Sequence, residues 1–135
     1  APTRNPIDGK TDGLLEKARA RGHAPKIFYT NSSVENWGGG RAAALVHSSP
    51  DGRSNLTLPD NVRAYLFAGT QHSPGQFPPR RSTAQQQSDN PVQYWWPMRA
   101  LLVAMTRWVT DGVAPPSSQH PEFDDERQTI VSARA

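Results

Sequence analysis

Residues 62–72, Val-Arg-Ala-Tyr-Leu-Phe-Ala-Gly-Thr-Gln-His, constrain the fold more than any other stretch of the chain. The apolar, aromatic-rich run is expected as a strand over 62–68, and it stops at Gly69-Thr70, so His72 falls on the loop that leaves it. A second, shorter run, Ile27-Phe28-Tyr29, lies between Pro25 and Asn31-Ser-Ser33. Those punctuating residues bound it as a buried strand over Lys26 to Thr30. The interval between the two runs is long enough for the crossover that a parallel pair requires. Strands joined in this way, with helices between and after them, belong to the α/β class.

The rest of the chain is organised around that pair. Thr11 and Asp12 are positioned to cap a helix through Arg21, with Leu14, Leu15 and Ala18 on one face and Gly22 as terminator. Residues 31–40 read as a polar, glycine-rich loop, Arg41 to His47 as one or two helical turns, and Pro50-Asp51-Gly52 as a turn. Ser73 to Asn90 has no periodicity and reads as a long surface loop. The strongest helix is opened by Asn90-Pro91 and closed by Asp111-Gly112. It carries Trp95, Met98, Leu101, Leu102, Met105, Trp108 and Val109 at helical spacing, with Pro97 near its first turn or at a kink. Val113 to Ala135 is expected as an extended, polar tail.

Composition sets a limit on this plan. Apolar residues make up 35% of the 135, and adding the 10 glycines still falls short of a globular norm of roughly 45 to 50%. The 13 prolines each fix a backbone angle and remove a hydrogen-bond donor, so long segments must be irregular. The core is therefore thin, and two strands do not make a stable sheet of this kind unaided. The expectation is that residues 1–135 are a partial domain, the last strands and final helix of a larger α/β sheet.

Several classes of function are disfavoured by residue content. Without cysteine there is no disulfide, thiolate metal site or cysteine nucleophile. The net charge of +3 comes from scattered basic residues, with only Arg80 and Arg81 adjacent, which argues against a nucleic-acid partner. No apolar stretch is long enough to span a bilayer, so the chain reads as soluble with no membrane partner. The first residue is not methionine, which leaves open a leader removed upstream and a periplasmic or secreted location. His23, His47 and His120 lack the spacing and carboxylate company of a metal site and read as surface histidines. Trp95, Trp96 and Trp108 read as packing residues, and Trp37 as lining either a pocket or the core. No metal or cofactor is called for.

His72 is the residue best suited to chemistry, because a neutral imidazole accepts and returns a proton near pH 7. Glu35 lies five residues past Thr30, and His72 four past Ala68. If the two strands are parallel neighbours, both side chains emerge at the same sheet edge, where a carboxylate can hold the imidazole tautomer. The plainer alternatives are a loop or helix-capping carboxylate for Glu35 and a turn histidine bonded to a backbone carbonyl for His72. A nucleophile is harder to find. No Gly-x-Ser-x-Gly elbow occurs. Ser73 is followed by Pro74, which removes the backbone donor an oxyanion hole needs, and Ser32 and Ser33 lead into a polar loop.

Three segments carry a resemblance to a known family. They are Phe28-Tyr-Thr-Asn-Ser-Ser-Val-Glu-Asn-Trp-Gly38, Arg63-Ala-Tyr-Leu-Phe-Ala-Gly-Thr-Gln-His72, and Arg99-Ala-Leu-Leu-Val-Ala-Met-Thr-Arg-Trp-Val-Thr-Asp-Gly-Val-Ala-Pro-Pro116. Together, over roughly residues 25 to 121, they resemble the C-terminal part of a poorly characterised bacterial α/β-hydrolase family. The superfamily's triad runs serine, acid, histidine along the chain. The resemblance thus implies Glu35 as acid, His72 as histidine and a serine upstream, in a serine hydrolase acting on small carboxylic esters. The chain lacks the elbow and the oxyanion loop, so the N-terminal part of the fold, in the same or a separate chain, is an implied partner. The competing reading is a stand-alone, non-enzymatic interaction module whose proline-rich loop and tail contact a partner.

Overall fold

A computed structural model of the chain describes residues 2–38, 43–49, 51–81, 83, 86–124 and 129–131. Two short strands, β1 (Thr3–Arg4) and β2 (Thr11–Asp12), form an antiparallel clip and lead into a helix, α1 (Glu16–Ala20). This helix is shorter than expected. Thr11 and Asp12 pair with β1 instead of capping it, and the Asp12 carboxylate accepts the Gly13 N–H at 2.7 Å. Leu14, expected on one face of it with Leu15 and Ala18, precedes the helix and is exposed. Gly22, with φ of 73°, turns the chain out of the helix as anticipated.

The organising unit follows. Strands β3 (Ile27–Ser32) and β4 (Val62–Phe67) pair in parallel, in register from Ile27 opposite Val62 to Ser32 opposite Phe67. β3 runs two residues past its expected end. The residues after it, expected as irregular loop, wind into a short helix, α2 (Ser33–Trp37), because Ser32 and Glu35 form a capping box. Gly39, Gly40 and Arg41, also assigned to loop and turn, lie outside the described residues, as does Pro50. A 3₁₀ turn over Ala43–Val46 and a turn at Gly52, with φ of 67°, complete the crossover.

On the far side of β4, Gln119 forms a parallel bridge with Tyr65, accepting the Leu66 N–H at 2.8 Å and donating to the Ala64 carbonyl at 2.9 Å. β4 is thus flanked on both sides, whereas β3 pairs with β4 alone among the described residues. Further along this segment, β5 (Glu122–Asp124) and β6 (Thr129–Val131) pair antiparallel.

The long helix, α3 (Trp95–Thr110), begins four residues later than the Asn90-Pro91 signal suggests. Asn90 instead uses its side-chain oxygen to accept the Val92 N–H at 2.9 Å, and its amide group is engaged elsewhere. Pro97 falls in the first turn, where its missing N–H leaves no intrahelical bond unmade.

The buried apolar side chains among the described residues are Val62, Ala64, Tyr65, Trp108 and Pro115. Phe28 joins the sheet to α3, meeting Tyr65 edge-on at 5.2 Å and stacking on Trp108 at 5.7 Å. The Lys26 ammonium donates to the Trp108 carbonyl and, like the Arg63 guanidinium, lies 5.2 Å from its ring. Trp95 and Trp96, expected as packing residues, are instead 50% and 70% exposed, and Leu102 is 68% exposed. Among the described residues the first turns of α3 have little to pack on. The chain exposes 9914 Å², where a compact monomer of its mass exposes about 7000 Å². No helix among the described residues is long and apolar enough to cross a membrane.

Candidate functional site

Because β3 and β4 are parallel, both C-terminal ends open on one edge of the pair. Glu35 stands in the first turn of α2 at that edge, and one of its oxygens is fully committed. The backbone N–H of Ser32 donates to Oε2 at 3.0 Å, the Ser32 hydroxyl donates to the same oxygen, and the Glu35 N–H returns a bond to Ser32 Oγ. Oε1 is left facing away from the helix, and it meets Nδ1 of His72. The two alternatives for Glu35, helix cap and histidine partner, are therefore both realised, one on each oxygen.

His72 reaches that position through a clamped turn. β4 ends at Phe67 and the chain reverses at Gly69, whose φ of 70° only glycine adopts without strain. The Gly69 N–H donates to Ser33 Oγ at 2.9 Å, which ties the turn to the start of α2. The Asn90 side chain donates to the Gly69 carbonyl at 2.6 Å, and the Asn90 backbone N–H donates to the Gln71 side chain at 3.1 Å. Tyr94, stacked on Phe67 at 5.6 Å, donates its phenol to the His72 carbonyl at 2.5 Å. The backbone of His72 is thereby held while its side chain stays 69% exposed. Nε2 has no hydrogen-bond partner among the described residues.

The electrostatics follow from these contacts. Burial pushes the Glu35 carboxyl up, but the hydrogen bonds from the Ser32 hydroxyl and from His72 outweigh it and hold the group at about 2. Glu35 is therefore ionised at neutral pH. An ionised carboxylate against Nδ1 selects the tautomer with its proton on Nδ1, which turns the Nε2 lone pair outward. An imidazole held in this way can take a proton at Nε2, and Glu35 offsets the charge that results.

The serines weighed as nucleophiles are placed as follows. Ser32 is buried, with its hydroxyl on Glu35, and Ser33 accepts from Gly69. Ser73 adjoins His72 but is followed by Pro74. Among the described residues no hydroxyl bonds to His72 Nε2, and no three histidine, aspartate, glutamate or cysteine side chains converge on a metal-sized site.

One expectation is corrected. His47, read as a surface histidine, is 4% exposed, with Nε2 3.4 Å from Asn36 Oδ1 and its ring stacked on His120 at 4.1 Å. Burial, with the neighbouring His120, pushes its pKa down to about 4, so it is neutral at pH 7. Trp37 is half-exposed at the end of α2.

The supporting residues Ser32, Ser33, Asn90 and Tyr94 were not legible as part of a site. For Ser32 a signal existed, since Ser-x-x-Glu over 32–35 is the capping-box pattern. The contacts of Ser33, Asn90 and Tyr94 join segments far apart in the chain, and no local pattern announces them.

Comparison with known proteins agrees with the resemblance carried by the three segments. The model of the family described as "Alpha/beta hydrolase domain" matches residues 3–134, almost the whole chain. No curated protein and no solved structure matches it.

Proposed function

This chain belongs to the alpha/beta hydrolase domain family, and from that membership we propose that it supplies the histidine and the acid of a Ser-acid-His triad in a carboxylic ester hydrolase. The observation that carries the reading is the pairing of Glu35 Oε1 with His72 Nδ1 at the shared end of two parallel strands, with Nε2 unpartnered among the described residues.

The nucleophile serine and the oxyanion donors come from the sheet that precedes β3, in the same chain or a partner. Two features support this. The outer edge of β3 pairs with no described strand, and beside it lies an apolar groove of about 420 Å³, bounded by Phe28, Thr30, Met98, Leu101, Leu102 and Met105. A further parallel strand on β3 would satisfy that edge and cover the groove, together with exposed Trp95 and Leu102.

In the proposed cycle the serine Oγ attacks the acyl carbon while His72 Nε2 takes its proton. The tetrahedral intermediate collapses, and the imidazolium returns that proton to the leaving alkoxide. Water then attacks the acyl-enzyme with His72 again as base, releasing the acid and restoring the serine. Glu35 stays ionised throughout and holds the Nδ1–H.

Replacing His72 with alanine in the protein that carries the complete site is expected to lower turnover of a short-chain chromogenic ester by three orders of magnitude or more. Near-normal turnover would end the assignment. The competing reading is a stand-alone interaction module whose proline-rich loop and tail contact a partner. It predicts a cooperatively folded 135-residue protein with no esterase activity in any parent context.

A further inference from the structure

We propose that Ser32 is a positioning residue of this site, acting through Glu35 to set the orientation of the carboxylate that holds His72. The inference rests on the triad reading above for its catalytic consequence and on the geometry alone for the orientation itself.

A carboxylate on a short surface helix ordinarily rotates about its last torsion and exchanges its oxygens with water. Here Oε2 receives two donors from one residue, the Ser32 hydroxyl and the Ser32 N–H at 3.0 Å. Two donors converging on one oxygen from different directions fix the plane of the carboxylate. With that plane fixed, Oε1 has one direction to face, and His72 Nδ1 stands in it. Ser32 is itself immobile, being 5% exposed and paired in the last position of β3 opposite Phe67. The orientation of the pair is thus inherited from the sheet rather than from the loop that carries the 69% exposed His72 side chain.

The same hydroxyl also accepts the Glu35 N–H, as a helix cap does. A purely structural role would therefore require only an acceptor at position 32. The positioning role requires a donor. Aspartate caps a helix about as well as serine but offers no proton and adds a like charge beside Glu35. Ser32→Asp therefore separates the two roles, Ser32→Ala removes both, and Ser32→Thr keeps both.

The test uses the protein carrying the complete site, labelled with ¹³C at the glutamate carboxyls, the Glu35 signal being assigned by its loss in Glu35→Gln. Titration of that signal is read beside kcat and KM for a short-chain ester. The expected result is that Ser32→Ala and Ser32→Asp each raise the Glu35 midpoint by one unit or more and lower kcat about tenfold at unchanged KM, while Ser32→Thr restores both values. An unchanged Glu35 midpoint in Ser32→Asp, or wild-type kcat in that variant, overturns the inference and reduces Ser32 to a helix cap. The triad reading fails separately, if His72→Ala and Glu35→Gln both keep full turnover. In that case a shifted Glu35 midpoint in the Ser32 variants still upholds the orientation, detached from ester hydrolysis.

Discussion

Replacing Glu35 with glutamine tests the electrostatics of the site without reference to any substrate. The carboxyl moves from an ordinary 4.5 to about 2 on folding. At 1.36 kcal/mol per unit the ionised form gains about 3 kcal/mol in the native state. The side chain keeps 23% of its exposure, so screening by water lowers that figure to about 2 kcal/mol. Glutamine fills the same space and can still accept a bond from Ser32, so the substitution removes chiefly the charge. The sign is set by the direction of the shift. A depressed carboxyl contributes its full stabilisation above the unfolded value of 4.5 and loses it as pH falls toward 2. Urea unfolding of the two proteins at pH 7, 4.5, 3 and 2 should therefore give a stability difference of about 2 kcal/mol at neutral pH. It should close almost completely by pH 2. Taking the difference cancels the titrations common to both proteins, those of His47 and Asp51 included. A difference that stays constant over this range would refute the claim that Ser32 and His72 stabilise the ionised carboxylate.

The other predictions concern the scaffold. His47 carries the opposite charge type in a separate pH window: its folded value is pushed down to about 4 from 6.5. The unfolded chain therefore binds a proton that the folded one refuses, and stability falls as pH drops from 6.5 toward 4, by up to about 3 kcal/mol. His47→Gln should flatten this part of the unfolding profile; an unaltered profile would place the titration elsewhere. Gly69→Ala meets no atom within 4 Å, so its cost is conformational alone, about 1 to 2 kcal/mol in denaturant unfolding. No measurable loss would mean that the turn relaxes out of the left-handed region. Trp108→Ala removes the ring on which Phe28 stacks and should cost about 3 to 5 kcal/mol. A cost under 1 kcal/mol would show that α3 is not anchored there.

What could be read from the sequence depended on whether its cause was local. The β3–β4 pair was legible because apolar runs bounded by Pro25, Asn31 and Gly69 can be little else, and a long crossover leaves parallel pairing as the natural connection. That parallelism is what brings Glu35 and His72 to one edge. α2 was missed because Ser33 to Trp37 lacks an apolar stripe and is held by a capping box, a polar device that hydrophobic periodicity does not register. α1 was overextended because Thr11 and Asp12 are claimed by residues seven and nine positions before. His47 is buried by a ring 73 residues away. Trp95 and Trp96 fit a helix's apolar face, yet periodicity tells only which residues share a face and says nothing of whether another element covers it.

In the proposed cycle His72, held by Glu35, activates a serine lying outside these 135 residues. The most direct measurement is the rate and position of covalent labelling by a fluorophosphonate, read by mass spectrometry on the protein carrying the complete site, with His72 intact and with His72→Ala. A single adduct is expected on a serine outside residues 1–135, formed at least a thousandfold more slowly in His72→Ala. An adduct on Ser32, Ser33 or Ser73, or labelling at equal rates in the two proteins, would contradict it.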